Sequence, residues 1–167
     1  MTKQTQGTNG PQVWFTADQH IGDERFHLFP RPFSRTYEYI SHIVNNWNRV
    51  VKEDDIVYVL GDFCIDKKWL YDAASMLRGR KVLLRGNYDT FPEEAYLPYF
   101  NKVIDRDLDL FIGEDDFPVH LDHYPTRPAS DGFSEHRFRI CGHVHGAWRL
   151  QKNMLNVGVD TSYFTPI

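Results

Sequence analysis

Seven side chains with the chemistry of metal ligands are scattered through the chain: Asp18, His20, Asp62, Asn87, His123, His143 and His145. Carboxylate, imidazole and amide oxygen together suit borderline divalent ions such as Mn²⁺, Fe²⁺, Co²⁺, Ni²⁺ or Zn²⁺. No cysteine belongs to the set, so these residues do not build a thiolate zinc site. Taken singly the signals differ in weight. Asp18-x-His20 and Gly61-Asp62 are common pairings, the second being an ordinary turn. Gly142-His143-Val144-His145-Gly146 says more. In an extended segment two His at i and i+2 point the same way, and the flanking glycines let the backbone approach closely. His120 is the rival of His123. The two lie three positions apart and face opposite sides of an extended strand, and His123 is preferred.

These residues need elements to carry them. Apolar runs at 12–16, 56–60 and 81–84 read as strands, the last two continuous enough to be covered on both faces. Residues 36–51 place Ile40, Ile43, Val44, Trp47, Val50 and Val51 on one helical face. A second helix spans 67–77, with Gly79 as its stop. The first half therefore reads strand, helix, strand, helix, strand, the pattern of a parallel sheet. In the second half a short helix lies within 91–100. Strands at 108–112, 117–121, 137–141 and 154–159 suggest a second, more antiparallel sheet. Each first-half strand runs into a candidate ligand: Asp18 and His20, then Asp62, then Asn87. Ligands of open parallel sheets bind outside those strand ends.

The set, in this order and at strand ends, resembles the calcineurin-like metallophosphoesterase family over residues 13–166. The matching motifs are Asp18-x-His20, Gly61-Asp62, Gly86-Asn87-Tyr88-Asp89, His123 and Gly142-His143-x-His145. Arg31-Pro32-Phe33, Leu60-Gly61-Asp62-Phe63 and Asn156-Val157-Gly158-Val159-Asp160 are similar to segments of its small single-domain bacterial and phage members. The resemblance implies an α/β fold, a four-layer α/β/β/α sandwich of two mixed sheets. It implies two divalent ions, Mn²⁺ foremost, with Fe, Zn, Ni or Co as alternatives. Asp18, His20, Asp62 and His145 would hold one ion, and Asp62, Asn87, His123 and His143 the other, with Asp62 bridging. The implied activity is phosphoester hydrolysis by in-line attack of a metal-bridging hydroxide, on a small phosphoester or nucleotide. Asp62, Asn87, Tyr88 and His123 fall on its catalytic positions.

Tyr88 departs from the family, which usually has His there, as Gly-Asn-His-Asp/Glu. A phenol, with a reference pKa near 10, is a much weaker acid than an imidazole near 6.5. A phosphodiester with a good leaving group is therefore expected over a monoester. The second reading is a binding or scaffold protein on the same fold, weakly active or inactive because Tyr88 replaces His. Around the set, Asp89 is expected to orient a ligand, Arg85 to form a surface ion pair, and Arg31, Arg127 and Trp148 to border the pocket. His27, His42 and His136 stay outside the site. The acidic residues between 105 and 116 are expected to form a solvated face.

The chain has 167 residues, enough for one core. Residues 1–11 read as a flexible tail and 12–167 as one domain. Nineteen basic against 23 acidic residues leave a net charge of −4. That balance and the absence of a basic stripe disfavour extended nucleic acid as partner. No apolar stretch reaches membrane-spanning length. Cys64 and Cys141 cannot form a disulfide framework, and with a polar opening segment they suggest a cytoplasmic protein. Oligomeric state is not legible.

Overall fold

A computed structural model describes residues 10–25, 31–113, 115–126 and 138–167. Most of the tail expected over 1–11, together with His27, Arg127 and His136, lies outside the described residues. The elements in chain order are β1 (Val13–Thr16), α1 (Thr36–Val50), β2 (Ile56–Leu60), α2 (Lys67–Ala74), β3 (Arg80–Leu84), α3 (Glu93–Tyr96), β4 (Lys102–Ile104), β5 (Leu108–Ile112), β6 (Phe117–Leu121), β7 (Phe138–Cys141), β8 (Leu150–Gln151) and β9 (Met154–Asn156). They form an α/β fold with two sheets, ordered β1-β2-β3-β4 and β5-β6-β7-β9-β8.

Every pair in the first sheet is parallel, so the expectation of two mixed sheets fails for this one. The second sheet is mixed rather than mainly antiparallel. β5 and β8 pair antiparallel with their neighbours, whereas β6, β7 and β9 run parallel. Parallel neighbours need long crossover connections, which explains the separation in sequence of β6 and β7. The reading from sequence also lacked β4 and β8, which have only three and two residues.

One core lies between the helices and the outer face of the first sheet. Tyr39, Ile40, Ile43 and Trp47 of α1 and Leu70 and Ala73 of α2 meet Val57, Val59 and Leu83 there. Burying each such aliphatic side chain stabilises the fold by about 1.5–3 kcal/mol. Asp66 caps α2 by accepting from the Lys68 backbone N–H at 2.9 Å. That helix stops at Ala74 rather than 77, where the Ser75 hydroxyl donates back to the Tyr71 carbonyl. A second core, of Ala17, Leu60, Leu84, Leu121, Ile140 and Val157, fills the space between the sheets. Three layers result, α/β/β. Among the described residues no helix covers the far face of the second sheet, so the expected fourth layer is not seen.

The sheets are also joined through their backbones. Ala17 N–H donates to the Val157 carbonyl at 3.1 Å, and Val159 N–H to the Ala17 carbonyl at 3.0 Å. This seam brings the segment after β1 against the segment after β9, directly beneath the candidate ligands. No helix among the described residues is long and apolar enough to cross a membrane.

Candidate metal centre

All seven candidates lie at one edge of the sheets. Because β1, β2 and β3 run parallel, Asp18 and His20, Asp62, and Asn87 emerge on the same side. Parallel β6 and β7 deliver His123 and His143 to that side as well. Asp18, His20 and His145 bring one ligand atom each to within 4.8 Å of one another, and Asp62, His123 and His143 do the same. Asp62 Oδ2 stands between the groups, 3.5 Å from His20 Nε2 and 3.4 Å from His123 Nε2. Asn87 Oδ1 is 3.2 Å from His123 Nε2. Tyr88 lies beside the first group, its ring meeting His20 edge-on at 4.9 Å between centroids.

His120 is elsewhere. It sits in β6 with Nδ1 at 2.8 Å from Asp109 Oδ1 and Nε2 at 3.7 Å from Asp107 Oδ2. Asp107 and Asp109 are therefore partners of a buried imidazole and not simply a solvated acidic face.

The backbone is bent to make this convergence. Asp18, His20, Asp62, His143 and His145 all have φ between 48° and 72°. Non-glycine residues rarely enter this left-handed region, Asp, Asn and His being the ones most often found there. Each such residue stores strain of about 1–3 kcal/mol that the surroundings must hold. The extended geometry expected for His143 and His145 is thereby corrected. The left-handed turn sends the two rings apart, His143 to one group and His145 to the other. Gly142 does permit close approach, since a Cβ there would lie 2.7 Å from Asp18 Oδ2. Gly146 does not serve that purpose, its nearest neighbour being Asp160 Cβ at 3.9 Å. Gly61, at φ +85°, is required: a Cβ would come within 2.6 Å of His123 Nδ1.

Several braces were not anticipated. Asp160 Oδ2 lies 2.9 Å from His145 Nδ1 and holds Arg31 through both carboxylate oxygens. Arg31 does not border a pocket. Its side chain is 2 % exposed and donates to the Asp18 and Gln19 carbonyls and to Tyr39. Asp89 accepts from the backbone N–H of Asp62, Phe63 and Gly86, tying the loops after β2 and β3 together. Arg85 pairs with Asp105 at 3.0 Å, as expected, and also binds the Asp89 and Phe91 carbonyls. Tyr124 packs on His143 and His123 and reaches Asn87 Oδ1 at 3.4 Å. Only Asp89 had been given an orienting role from sequence. Asp160 appears there only within a motif, without such a role.

Burial sets the electrostatics. It pushes the Asp18 carboxyl up to about 6 against the pull of His123 and His145. It pushes His20 down to about 4, with Asp62 opposing. Burial would also raise Asp62, but the adjacent His123 imidazole, the hydrogen bond from the Tyr88 backbone N–H and the nearby His20 keep it below the usual carboxylate range. At Asp160 the same burial cost is overcome by Arg31 and His145, which hold it at about 2.

The donor chemistry fits cations. The Leu60 carbonyl lies 2.8 Å from His123 Nδ1. A carbonyl only accepts, so Nδ1 carries the proton and the neutral ring keeps its lone pair on Nε2. That lone pair faces two oxygens, Asn87 Oδ1 and Asp62 Oδ2. Three acceptors turned on one point repel unless a positive charge lies among them. A divalent ion, or a proton on Nε2, supplies it.

No family model matches the chain. It is 33 % identical over 94 residues to an uncharacterized protein of Methanocaldococcus jannaschii, covering 54 % of this chain and 53 % of that one. The gene 66 protein of Mycobacterium phage L5 is 32 % identical over 85 residues, 46 % of this chain and 39 % of its own. These matches thus span about half or less of the relatives' length. The gene 66 protein of Mycobacterium phage D29 is 27 % identical across 89 % of this chain and 87 % of its own. Among solved structures, a protein of unknown function from Aquifex aeolicus superposes with a TM-score of 0.72 at 25 % identity over 95 % of both chains.

Proposed function

We propose that this protein is a dinuclear metal-dependent phosphoesterase of the calcineurin-like kind, acting on phosphodiesters in preference to monoesters. The observation that carries the reading is Asp62 Oδ2 standing between His20 and His123, one imidazole from each three-residue group. The α/β/β layering, with ligands at the carboxyl ends of parallel strands, supports the corresponding sandwich fold. Asp18, His20, Asp62 and His145 would hold one ion, and Asp62, Asn87, His123 and His143 the other. Divalent ions so bound supply Lewis acidity, both to activate water and to neutralise phosphoryl charge.

The chain's own contribution is orientation. The Tyr88 backbone N–H fixes Asp62 Oδ1 at 2.9 Å and leaves Oδ2 for the imidazoles. Leu60 and Asp160 fix the orientation of His123 and His145, so that Nε2 of each remains the donating nitrogen. Tyr88, 36 % exposed, places a phenolic hydrogen-bond donor at the rim. As a weak proton donor it favours esters whose leaving group departs without full protonation. The class of substrate is a small phosphoester or nucleotide.

The test is hydrolysis of an activated aryl phosphodiester by protein loaded with Mn²⁺, against a chelated control. Metal-dependent turnover is expected. Two ions per chain by elemental analysis, with no turnover under Mn²⁺, Fe²⁺, Co²⁺, Ni²⁺ or Zn²⁺, would replace the enzyme with a metal-binding scaffold.

A further inference from the structure

We infer that Arg25, clamped by Asp23 beside Tyr88, contacts substrate and selects phosphoesters that carry a second phosphate outside the scissile one. The inference rests on the proposed phosphoesterase reading for the position of the scissile group. The Asp23 backbone N–H donates to the His20 carbonyl at 3.0 Å, which fixes this turn to the first ligand group. The Asp23 carboxylate, only 4 % exposed as a residue, accepts from the Arg25 backbone N–H, Nε and Nη2 at 2.9, 2.9 and 2.7 Å. The guanidinium carbon then lies 5.9 Å from the centroid of Tyr88, which also meets His20 edge-on. Guanidinium, phenol and candidate ligand thus follow one another from rim to centre.

Arg25 is 46 % exposed at its side chain. Two of the five N–H bonds of a guanidinium serve Asp23 and one serves Tyr88, and two remain to offer. Arg31, the next arginine in the chain, shows the contrast: it is buried and committed to Asp160, Gln19, Asp18 and Tyr39. A half-exposed ion pair between near neighbours in sequence adds little stability. What the clamp does achieve is a fixed cation in an otherwise acidic chain, with a planar fork suited to phosphate. The charge of the scissile phosphate is answered at the two ligand groups. One ring further out, Asp23 balances the Arg25 charge, and the remaining guanidinium N–H groups are open to a further acceptor. A phosphate on the part of the substrate that projects past Tyr88 matches them in charge and geometry.

The experiment compares adenosine 3′,5′-bisphosphate with AMP by isothermal titration calorimetry on Mn²⁺-loaded protein. Wild type is expected to bind the bisphosphate about tenfold more tightly, the scale of one charge-assisted hydrogen bond. Arg25→Gln should bring that ratio to within about twofold, and Arg25→Lys, which keeps charge without the fork, to an intermediate value. A wild-type ratio near one, or a ratio unchanged in Arg25→Gln, overturns the inference. Aryl phosphodiester turnover is measured on the same preparations. A preference that depends on Arg25 in protein without turnover would retain the phosphate contact and reject the enzyme. Turnover without the preference would do the reverse.

Discussion

The two ligand groups are built differently. Asp18, His20 and His145 form an enclosed group, with both Asp18 and His20 essentially without solvent contact. It is braced from outside by Asp160 on His145 and by Arg31 on the Asp18 carbonyl. Asp62, His123 and His143 form an open group, in which His143 is exposed and its neighbours Asn87 and Tyr124 reach towards the surface. Enclosure with fixed ligand orientation favours retention of an ion, whereas exposure favours exchange with water and substrate. On the proposed reading, the enclosed group would hold its ion and the open group would react, with Asp62 belonging to both.

The largest effect should come from the shared residue. Asp62→Asn is expected to lower metal content at both groups and to cut phosphodiester turnover by about 10³-fold or more, the scale of several kcal/mol of lost charge stabilisation. Elemental analysis and kinetics on one preparation check this, and full occupancy with normal turnover would dissolve the bridging role. Asp160→Asn should separate the groups. It is expected to weaken one of two binding steps by about 10–100-fold, as removing a partner of a ligating His does. A metal titration in which both steps move equally would show that the two groups act as one.

The smallest effect belongs far from both, at Asp55, just before β2 and thus at the opposite end of the sheet. Its carboxylate accepts from Gln12 and Lys52 backbone N–H groups and from the Trp14 indole. Burial alone would raise its pKa, but these donors hold it below the ordinary value. A depressed carboxylate stabilises the fold above its unfolded pKa, near 3.9, and that contribution is lost as pH falls through the folded value. Asp55→Asn should therefore cost about 1 kcal/mol at pH 7, seen as a lower Tm. The gap to wild type should narrow progressively as pH falls below the unfolded value, and metal binding should not change. A gap that persists in acid would mean that the charge plays no part.

Much of this was legible in the chain. Strands at 56–60, 108–112 and 117–121 have the expected bounds because a short apolar run between polar turns leaves little freedom. The seven candidate ligands converge because parallel strands deliver their ends to one edge. The braces were harder to see. Arg31 and Asp160 are separated by 129 positions, and no local spacing announces such a pair. The parallel pairing of β6 with β7 was hidden for a related reason: it depends on a crossover and not on the strands themselves. His143 and His145 lie in a left-handed turn, where the two-residue period of a strand does not hold.

The left-handed backbone at Asp18, His20, Asp62, His143 and His145 also limits how such a centre can drift. Aspartate, asparagine and histidine enter that conformation at modest cost, while branched or bulky residues do so poorly. The substitutions that the loops tolerate best are thus among the residues that bind metal. Exchanges within that short alphabet would retune which ion is preferred while leaving the turns intact, so the centre can change its chemistry more readily than it can lose its shape.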